Sequence, residues 1–366
     1  MPGIDIAIRQ ILIVNAILFL LFFVIDIAFF RKKIKRPLYR GRLINALITI
    51  GILTMFVASI KVFTWPLLLQ IFLLNTVDLC ILILATTGVV LIFKTSVTTN
   101  FAQGMMATFG AFFATTVVIR LMAKYSGSQT LYLFIGLFSG VLVSFLLGLI
   151  IDVGIIRRGR HVSSVGKQMI TMGLVMVLMG AIPVIFGSNP IALPAFSIDV
   201  EIFNIGEHIL VIPVQNLYAI VITLVVLVIL FAALRFTKWG LGVRATASSE
   251  MVASMMGVNT RAITAMSWAI AGGLGAIAAF FYASSGAQVQ VASMVGVQVN
   301  AFMAAVLGSF SSFGGPIVGA LLINIFSSIA PFYDGTWQVV IVYGIILLIV
   351  LAKPLGLFGK KTAKKV

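Results

Sequence analysis

The chain has 366 residues, of which 61% are hydrophobic and only 9% are charged, and its mean hydropathy is +1.20. Soluble domains carry about 25% charged residues, so one soluble core could not bury this much apolar surface, and we expect an integral membrane protein. The net charge of +16 does not indicate nucleic-acid binding. The basic residues form short clusters between apolar runs, as they do in the cytoplasmic loops of membrane proteins.

Apolar runs long enough to cross a membrane recur along the whole chain. They predict an all-α fold, a polytopic transmembrane helical bundle of about nine spans. The predicted spans lie near residues 11–30, 43–61, 66–93, 105–124, 130–151, 168–187, 213–234, 263–283 and 336–352. The first run has basic residues mainly after it, which is the reverse of a secretory signal. We therefore interpret it as a retained span with the N-terminus outside.

The longest predicted outer loop covers residues 188–212. It holds prolines and acidic residues that do not suit a span. Its short apolar stretches at 202–203 and 209–212 predict a small extracytoplasmic hairpin.

A capped amphipathic segment at residues 248–257 lies in the largest predicted cytoplasmic loop. Ser248 or Ser249 can cap a short helix, and the acidic residue that follows suits the positive end of the helix dipole. Two methionines and a valine fall on one apolar face, and a glycine can end the helix. Such a helix fits insertion into a partner's groove, and it equally fits a position on the lipid surface. The residues of this candidate coupling segment are Glu250, Met251, Val252, Met255, Gly257 and Arg261.

A broken apolar run between residues 298 and 330 predicts a re-entrant helical hairpin. With the N-terminus outside, 21 of the 25 basic residues fall on the inner side. Successive spans place their connecting loops on opposite sides of the membrane. The basic residues at the end of the chain fall on the inner side only if this run enters and leaves the membrane from the outer side. Irregular backbone at membrane depth must be covered by protein or water, so we expect the hairpin to line an internal cavity.

The sequence contains few groups suited to catalysis. Cys80 is the single cysteine, and together with His161 and His208 it cannot form a disulfide or a zinc site. No Gly-x-x-x-x-Gly-Lys-Ser/Thr loop for binding ATP phosphates occurs, and no cluster of Ser, His and Asp indicates hydrolysis. We expect no catalytic residues, no metal site and no cofactor.

Five stretches, in the same order along the chain, resemble the LivH-type permeases of branched-chain amino acid ABC importers. They include Asn-Phe-Ala-Gln-Gly at 100–104, similar to the family's Asn-Phe-Ala-His-Gly, and a loop similar to its ATPase-coupling loop. The matching stretches are 91–104, 170–174, 244–261 with the Trp268–Ala278 region after it, 301–316 and 353–359. The resemblance covers roughly residues 66–360.

The chain departs from the family pattern at a few positions. Gln103 replaces the usual histidine, Leu79-Cys80 stands where Gly-Ser is common, and Glu250 lies one place before the family's coupling glutamate. We expect residues 1–63 to form an N-terminal extension with two extra transmembrane helices, and residues 64–366 to form the permease domain.

The resemblance implies a permease subunit of an ATP-driven importer for branched-chain or hydrophobic amino acids in the plasma (inner) membrane of a bacterium or archaeon. The implied partners are a second, LivM-like permease subunit, two cytoplasmic ATPase subunits and an extracytoplasmic substrate-binding protein. ATP hydrolysis then belongs to the partners, and this chain is not an enzyme. The alternatives are an ABC permease for urea, short amides or nucleosides, and an ion-coupled secondary transporter.

The candidate translocation path begins at Asn75 and Asp78, which share one face of a predicted span. A carboxylate inside a membrane is costly, so a polar stripe on the path is one interpretation and a partnered or surface-wetted Asp is the other. Asn100, Gln103 and Gly104 lie in a break between two spans, where unpaired backbone can bind a polar solute or can simply let helices pack.

The remaining path candidates are small or hydroxylated residues. Thr171 and Gly173 are more typical of close helix packing than of a site. The hairpin turn can point a helix N-terminus into the cavity, or it can be a tight structural turn. The hairpin candidates are Gly308, Ser312, Gly314 and Gly315.

Overall fold

The helices of the structure follow the apolar runs of the sequence. The computed structural model describes residues 65–159, 162–205, 208–332 and 335–359. The helices in these ranges are α1 (Trp65–Leu74), α2 (Thr76–Ser96), α3 (Gln103–Lys124), α4 (Gln129–Ile151), α5 (Ser164–Phe186), α6 (Val214–Phe236), α7 (Lys238–Ser248), α8 (Glu250–Met255), α9 (Thr260–Ser284), α10 (Val295–Gly308), α11 (Gly315–Ile329) and α12 (Gln338–Ala352). A π-helical turn at Asp152–Ile156 continues α4, and a 3-10 turn at Ala330–Phe332 follows α11. Two strands, β1 (Val200–Ile205) and β2 (His208–Pro213), lie between α5 and α6.

Within the described ranges, 7 helices are long and apolar enough to cross a membrane. They cover residues 76–96, 103–124, 129–156, 164–186, 214–236, 260–284 and 315–332. Five of them coincide with the predicted spans 105–124, 130–151, 168–187, 213–234 and 263–283. The predicted spans 11–30 and 43–61 lie outside the described residues.

Two predicted spans differ from the observed helices. The prediction of one span over 66–93 is wrong, because α1 ends at Leu74 and α2 begins at Thr76. Side chains next to the break bond to backbone carbonyls: Asn75 Nδ2 donates to Ile71 O at 2.8 Å and Thr76 Oγ1 donates to Leu73 O at 2.7 Å. Such local bonds compete with regular helix. At the other end of the chain α12 has 15 residues, about 22 Å, which is shorter than a typical span.

α2 and α9 form the centre of the bundle, and α5 and α6 lie at its edge. Most residues of α2 and α9 are buried, whereas only 22% of the most apolar stretch of α5 and of α6 is buried. α9 packs against α2, α3 and α4 through a face rich in glycine and alanine, and such small residues let membrane helices approach closely. The fully buried Trp268 of α9 donates from Nε1 to Ser96 Oγ at 3.1 Å, which fixes α9 against the end of α2.

α10 and α11 form an antiparallel helical hairpin with a non-helical link at 309–314. The two helices touch at their glycines, because a Cβ on Gly308 would overlap Gly315 O and a Cβ on Gly319 would overlap Ala304 O. The backbone therefore has the two short helices that we expected to meet near residues 311–315. The side of the membrane from which the hairpin enters stays a prediction.

The tip of the hairpin is held from two sides. Lys94, near the C-terminal end of α2, donates from Nζ to Ser311 O at 2.6 Å and lies over the Phe313 ring, 4.4 Å from its centroid. On the other side, Leu357 N donates to Leu307 O at 2.8 Å. Gly356 has φ +80° and leaves no room for a Cβ, which would lie 2.6 Å from Val306 O. The hairpin tip therefore lies between the end of α2 and the segment after α12, which we call the strap.

β1 and β2 form an antiparallel hairpin, as expected for the loop 188–212. Its register pairs Val200 with Pro213 and Ile205 with His208. The hairpin is fixed to α1 by Gln70, whose side chain donates to Val211 O at 2.9 Å and accepts from Val211 N at 2.8 Å.

The close approach in the α10–α11 hairpin gives a stability prediction. Gly319→Ala should lower the free energy of unfolding by about 1–3 kcal/mol, because the added methyl overlaps the carbonyl of Ala304. Gly344→Ala in α12 is the matched control, since a Cβ there meets nothing within 4 Å. Thermal unfolding of both variants in detergent measures the difference. Equal unfolding temperatures would contradict the tight contact.

Candidate functional site

The non-helical segment between α2 and α3, residues 97–102, returns to the middle of α2; we call it the helix break. Gln103, the first residue of α3, donates from Nε2 to Ala85 O at 3.2 Å. Ala85 lies eleven residues before Ser96, about 16 Å back along the helix. α3 therefore begins halfway along α2, and the helix break lies inside the bundle.

The polar groups of the helix break are bound by side chains of the break itself and of two other helices. Asn100 is fully buried; its Oδ1 accepts from Ala102 N at 2.9 Å, and its backbone oxygen accepts from Gln298 Nε2 of α10 at 3.2 Å. Phe101 N donates to Thr171 Oγ1 of α5 at 3.3 Å. Unpaired backbone groups are costly inside a membrane, so these contacts make a non-helical backbone tolerable within a bundle of this kind.

Gln103 leaves one polar atom unused in this network. Its side chain is 2% exposed, and Oε1 has no hydrogen-bond partner. A buried polar atom without a partner is costly and is uncommon in folded proteins. Next to it, Gly104 lies tightly against α10, where a Cβ would be 3.0 Å from Met294 O and 3.2 Å from Gln298 Cβ. The structure thus brings the predicted residues Asn100, Gln103 and Gly104 together with Gln298.

A second polar region is a cavity of about 250 Å³ beside the start of α2, which we call the Asp78 cavity. It contains the predicted residues Asn75 and Asp78. The hairpin and its neighbours provide the rest of its lining: Ile81, Leu82, Tyr282, Val297, Asn300, Ile323, Asn324, Ser327, Ser328 and Gln338. The first turns of α10 contribute both to this cavity and, through Gln298, to the helix break, so the two polar regions adjoin.

The other predicted path residues are distributed differently. Gly308, Ser312 and Gly315 lie at the hairpin tip, where Ser312 Oγ accepts from Gly315 N at 3.1 Å; Gly314 lies beside them in an open position. Thr171 contacts the helix break, as described. Gly173 lies on the exposed face of α5, where a Cβ would meet nothing within 4 Å, so the structure does not bring it together with the other candidates.

The candidate coupling segment is a short exposed helix. Ser249 caps α8 by accepting from Val252 N at 3.3 Å, and Gly257 ends the turn with φ +82°. The apolar side chains face outward: Met251 is 70% and Met255 is 72% exposed. The preceding helix α7 was not predicted from the sequence.

Glu250 and Arg261 line a charged cavity of about 280 Å³ at the base of α8. The cavity lies where α2, α4, α5 and α9 end or begin. Its lining is Ser96, Asp152, Ile156, Arg157, Lys167, Glu250, Arg261 and Thr264. Arg157 Nη2 lies 3.4 Å from Asp152 Oδ2 and 3.2 Å from Arg261 O, so it joins the π-helical turn after α4 to the start of α9.

Some of these residues carry no signal in the sequence. Gln298 and Asn324 lie in apolar helices, and their importance follows from what folding brings next to them. In the described ranges, no group of three or more His, Cys, Asp or Glu residues could hold a metal ion.

Comparison with known proteins identifies one matching family profile and several similar chains. Residues 71–351 match the sequence profile of the family described as "Branched-chain amino acid transport system / permease component". The chain is 27% identical over 149 residues to the high-affinity branched-chain amino acid transport system permease protein LivH of Escherichia coli (strain K12). This alignment covers 40% of this chain and 48% of that protein. It is 26% identical over 157 residues to the high-affinity branched-chain amino acid transport system permease protein BraD of Pseudomonas aeruginosa. That alignment covers 43% of this chain and 51% of BraD. The chain thus spans about half the length of the curated relatives it matches. No solved structure is significantly similar to it.

The bond from Gln298 to the helix break gives a second prediction. Gln298→Met keeps the length of the side chain but leaves Asn100 O buried without its donor, which should lower the free energy of unfolding by about 1–3 kcal/mol. Amide hydrogen exchange over residues 97–104 should become faster. Gln288→Met is the control, because Gln288 is exposed. Unchanged exchange in Gln298→Met would show that this bond does not hold the break.

Proposed function

Because the chain belongs to the branched-chain amino acid permease family, we propose that it forms half of the translocation path of an ATP-driven importer for small hydrophobic amino acids. It is a multi-pass protein of the cytoplasmic membrane and a transport component, not an enzyme. The observation that supports the path assignment most is the helix break, a largely buried polar segment that folds back beside the middle of α2. Broken helices of this kind bind solutes in other transporters.

The proposed path runs along α2 from one end to the other. It begins at the Asp78 cavity, continues past Asn100 and Gln103, and ends at the hairpin tip beside Lys94. The unpartnered oxygen of Gln103 supports this route, because a passing ammonium, hydroxyl or amide group would supply its missing hydrogen bond. In this proposal the hairpin forms one wall of the path throughout.

We infer that energy enters through α8. The chain has no phosphate-binding loop of its own, so work from ATP hydrolysis must arrive by contact with partner ATPase subunits. The exposed methionines of α8 form an adaptable apolar surface that suits a docking groove. The charged cavity beneath α8 connects it to the ends of α2, α4 and α9, so a displacement of α8 would be passed to the helices that carry the helix break.

The assembly proposed around this chain follows the family. It comprises a second, LivM-like permease subunit, two cytoplasmic ATPases and an extracytoplasmic binding protein that delivers the solute. We propose that residues 64–366 form the permease domain and that residues 1–63 add two further spans. In this arrangement α10 and α11 enter and leave the membrane from the outer side.

The docking proposal is tested by placing a charge on the methionine face of α8. Met255→Asp should abolish transport and solute-stimulated ATP hydrolysis together, since desolvating the new carboxylate in a docking groove costs several kcal/mol. Met255→Leu is the matched control, because it keeps an apolar side chain at the same exposed position. Both variants should reach the membrane in normal amounts. If Met255→Asp assembles and transports normally, α8 does not dock.

The proposed sidedness is tested by labelling single cysteines in a Cys80→Ala background. Cysteines at Gln290 and Gly335, which flank the hairpin, should react with an impermeant maleimide from the outside. A cysteine at Ser311, in the exposed link, should react from the inside. Labelling of the positions 290 and 335 from opposite sides would exclude a re-entrant hairpin.

A further inference from the structure

Three of the four side-chain amides that line the Asp78 cavity donate a hydrogen bond to a backbone carbonyl oxygen. Asn75 Nδ2 donates to Ile71 O at 2.8 Å, and Gln338 Nε2 donates to Ser327 O at 3.3 Å. Asn324 Nδ2 donates to Asn75 O at 3.3 Å. The fourth lining amide, Asn300, uses its oxygen instead, since its Oδ1 accepts from Tyr343 at 2.9 Å.

Acceptor oxygens also remain available in the cavity. Asn324 is 5% exposed, and its Oδ1 has no hydrogen-bond partner. The orientation of this amide is fixed, because Asn75 O can only accept and must therefore face the nitrogen. The oxygen is left for the cavity that Asn324 lines. The Asp78 carboxylate also lines the cavity, and among the described residues no hydrogen bond or ion pair occupies it.

The charge and the walls of the cavity narrow the choice of ligand. Asp78 is the one charged side chain among the described lining residues. Asp78 lies in the first turn of α2 and is exposed, so its carboxylate is open to a cation. The wall also contains Ile81, Leu82 and Val297, which suit an alkyl group. A volume of about 250 Å³ is just below the roughly 300–1,000 Å³ of pockets for drug-sized molecules, so a small aliphatic solute fits better than a nucleoside.

We propose that the Asp78 cavity binds the ammonium group of a small aliphatic amine or amino acid, with Asp78 and Asn324 Oδ1 accepting its N–H bonds and the aliphatic wall holding its alkyl part. This rests on the proposed function in placing the cavity on the path. It adds a residue-level reason why the solute carries an ammonium group, which urea, amides and nucleosides lack.

The proposal is tested by protection of a cysteine in the cavity. Ser328→Cys, in a Cys80→Ala background of the full chain in native membrane vesicles, is labelled with a small thiol reagent. 3-Methylbutylammonium should slow labelling, whereas 3-methyl-1-butanol, which has the same carbon skeleton without a charge, should not. Asp78→Asn should weaken protection by about tenfold or more, the effect of losing a hydrogen bond to a charged group. Asp78→Glu should retain it, and Asp199→Asn, an exposed acid away from the cavity, should have no effect.

Several results would overturn the proposal. Three of them are equal protection by the amine and the alcohol, no protection by the amine, and full protection in the Asp78→Asn variant. The fourth is equal protection by sodium ions alone, which would make the cavity an inorganic cation site. Leucine uptake with ATP in the same vesicles tests the proposed function separately. Amine protection without leucine uptake would keep the ammonium site and reject the importer assignment, whereas leucine uptake that is unaffected in Asp78→Asn would reject the site and keep the importer.

Discussion

The backbone leaves helical geometry at residues 97–102 within the helical bundle, and side chains of three elements supply the hydrogen bonds that helical geometry would have provided. Asn100 accepts a hydrogen bond from the backbone nitrogen of Ala102, and Thr171 and Gln298 bring α5 and α10 to the same place. Each unsatisfied group would otherwise cost several kcal/mol in a membrane. A helix can be broken at this depth only when other helices provide hydrogen bonds, so the break and its neighbours form one unit.

The hairpin is the second part of that unit. α10 can reach the break because Gly104 leaves space for it, and α11 can lie against α10 because both carry glycine or alanine where they touch. Lys94 and the strap at Gly356 then hold the hairpin tip at the end of α2. Backbone satisfaction at the centre and close approach along the hairpin together determine where the polar groups of the proposed path lie.

The sequence predicted those features that depend on local pattern. Hydropathy located most helices, and the glycine-rich interruption located the hairpin turn. The serine cap and methionine face located α8, and the Asn-Phe-Ala-Gln-Gly stretch located the helix break. It did not predict Gln298 or Asn324, because each lies in a largely apolar helix and depends on partners about 200 or more residues away in the chain. It also missed the break at Asn75, where side-chain bonds to the backbone override a continuous apolar run.

The outward-facing methionines of α8 make the chain unequally sensitive to oxidation. Met251 and Met255 expose their sulfur-bearing side chains to the surroundings, whereas Met105 and Met106, beside the helix break, are 2% and 0% exposed. Conversion to the sulfoxide turns a flexible apolar side chain into a polar one. An oxidant therefore alters the proposed docking surface long before it reaches the path, and the damage is of a kind that methionine sulfoxide reductases repair.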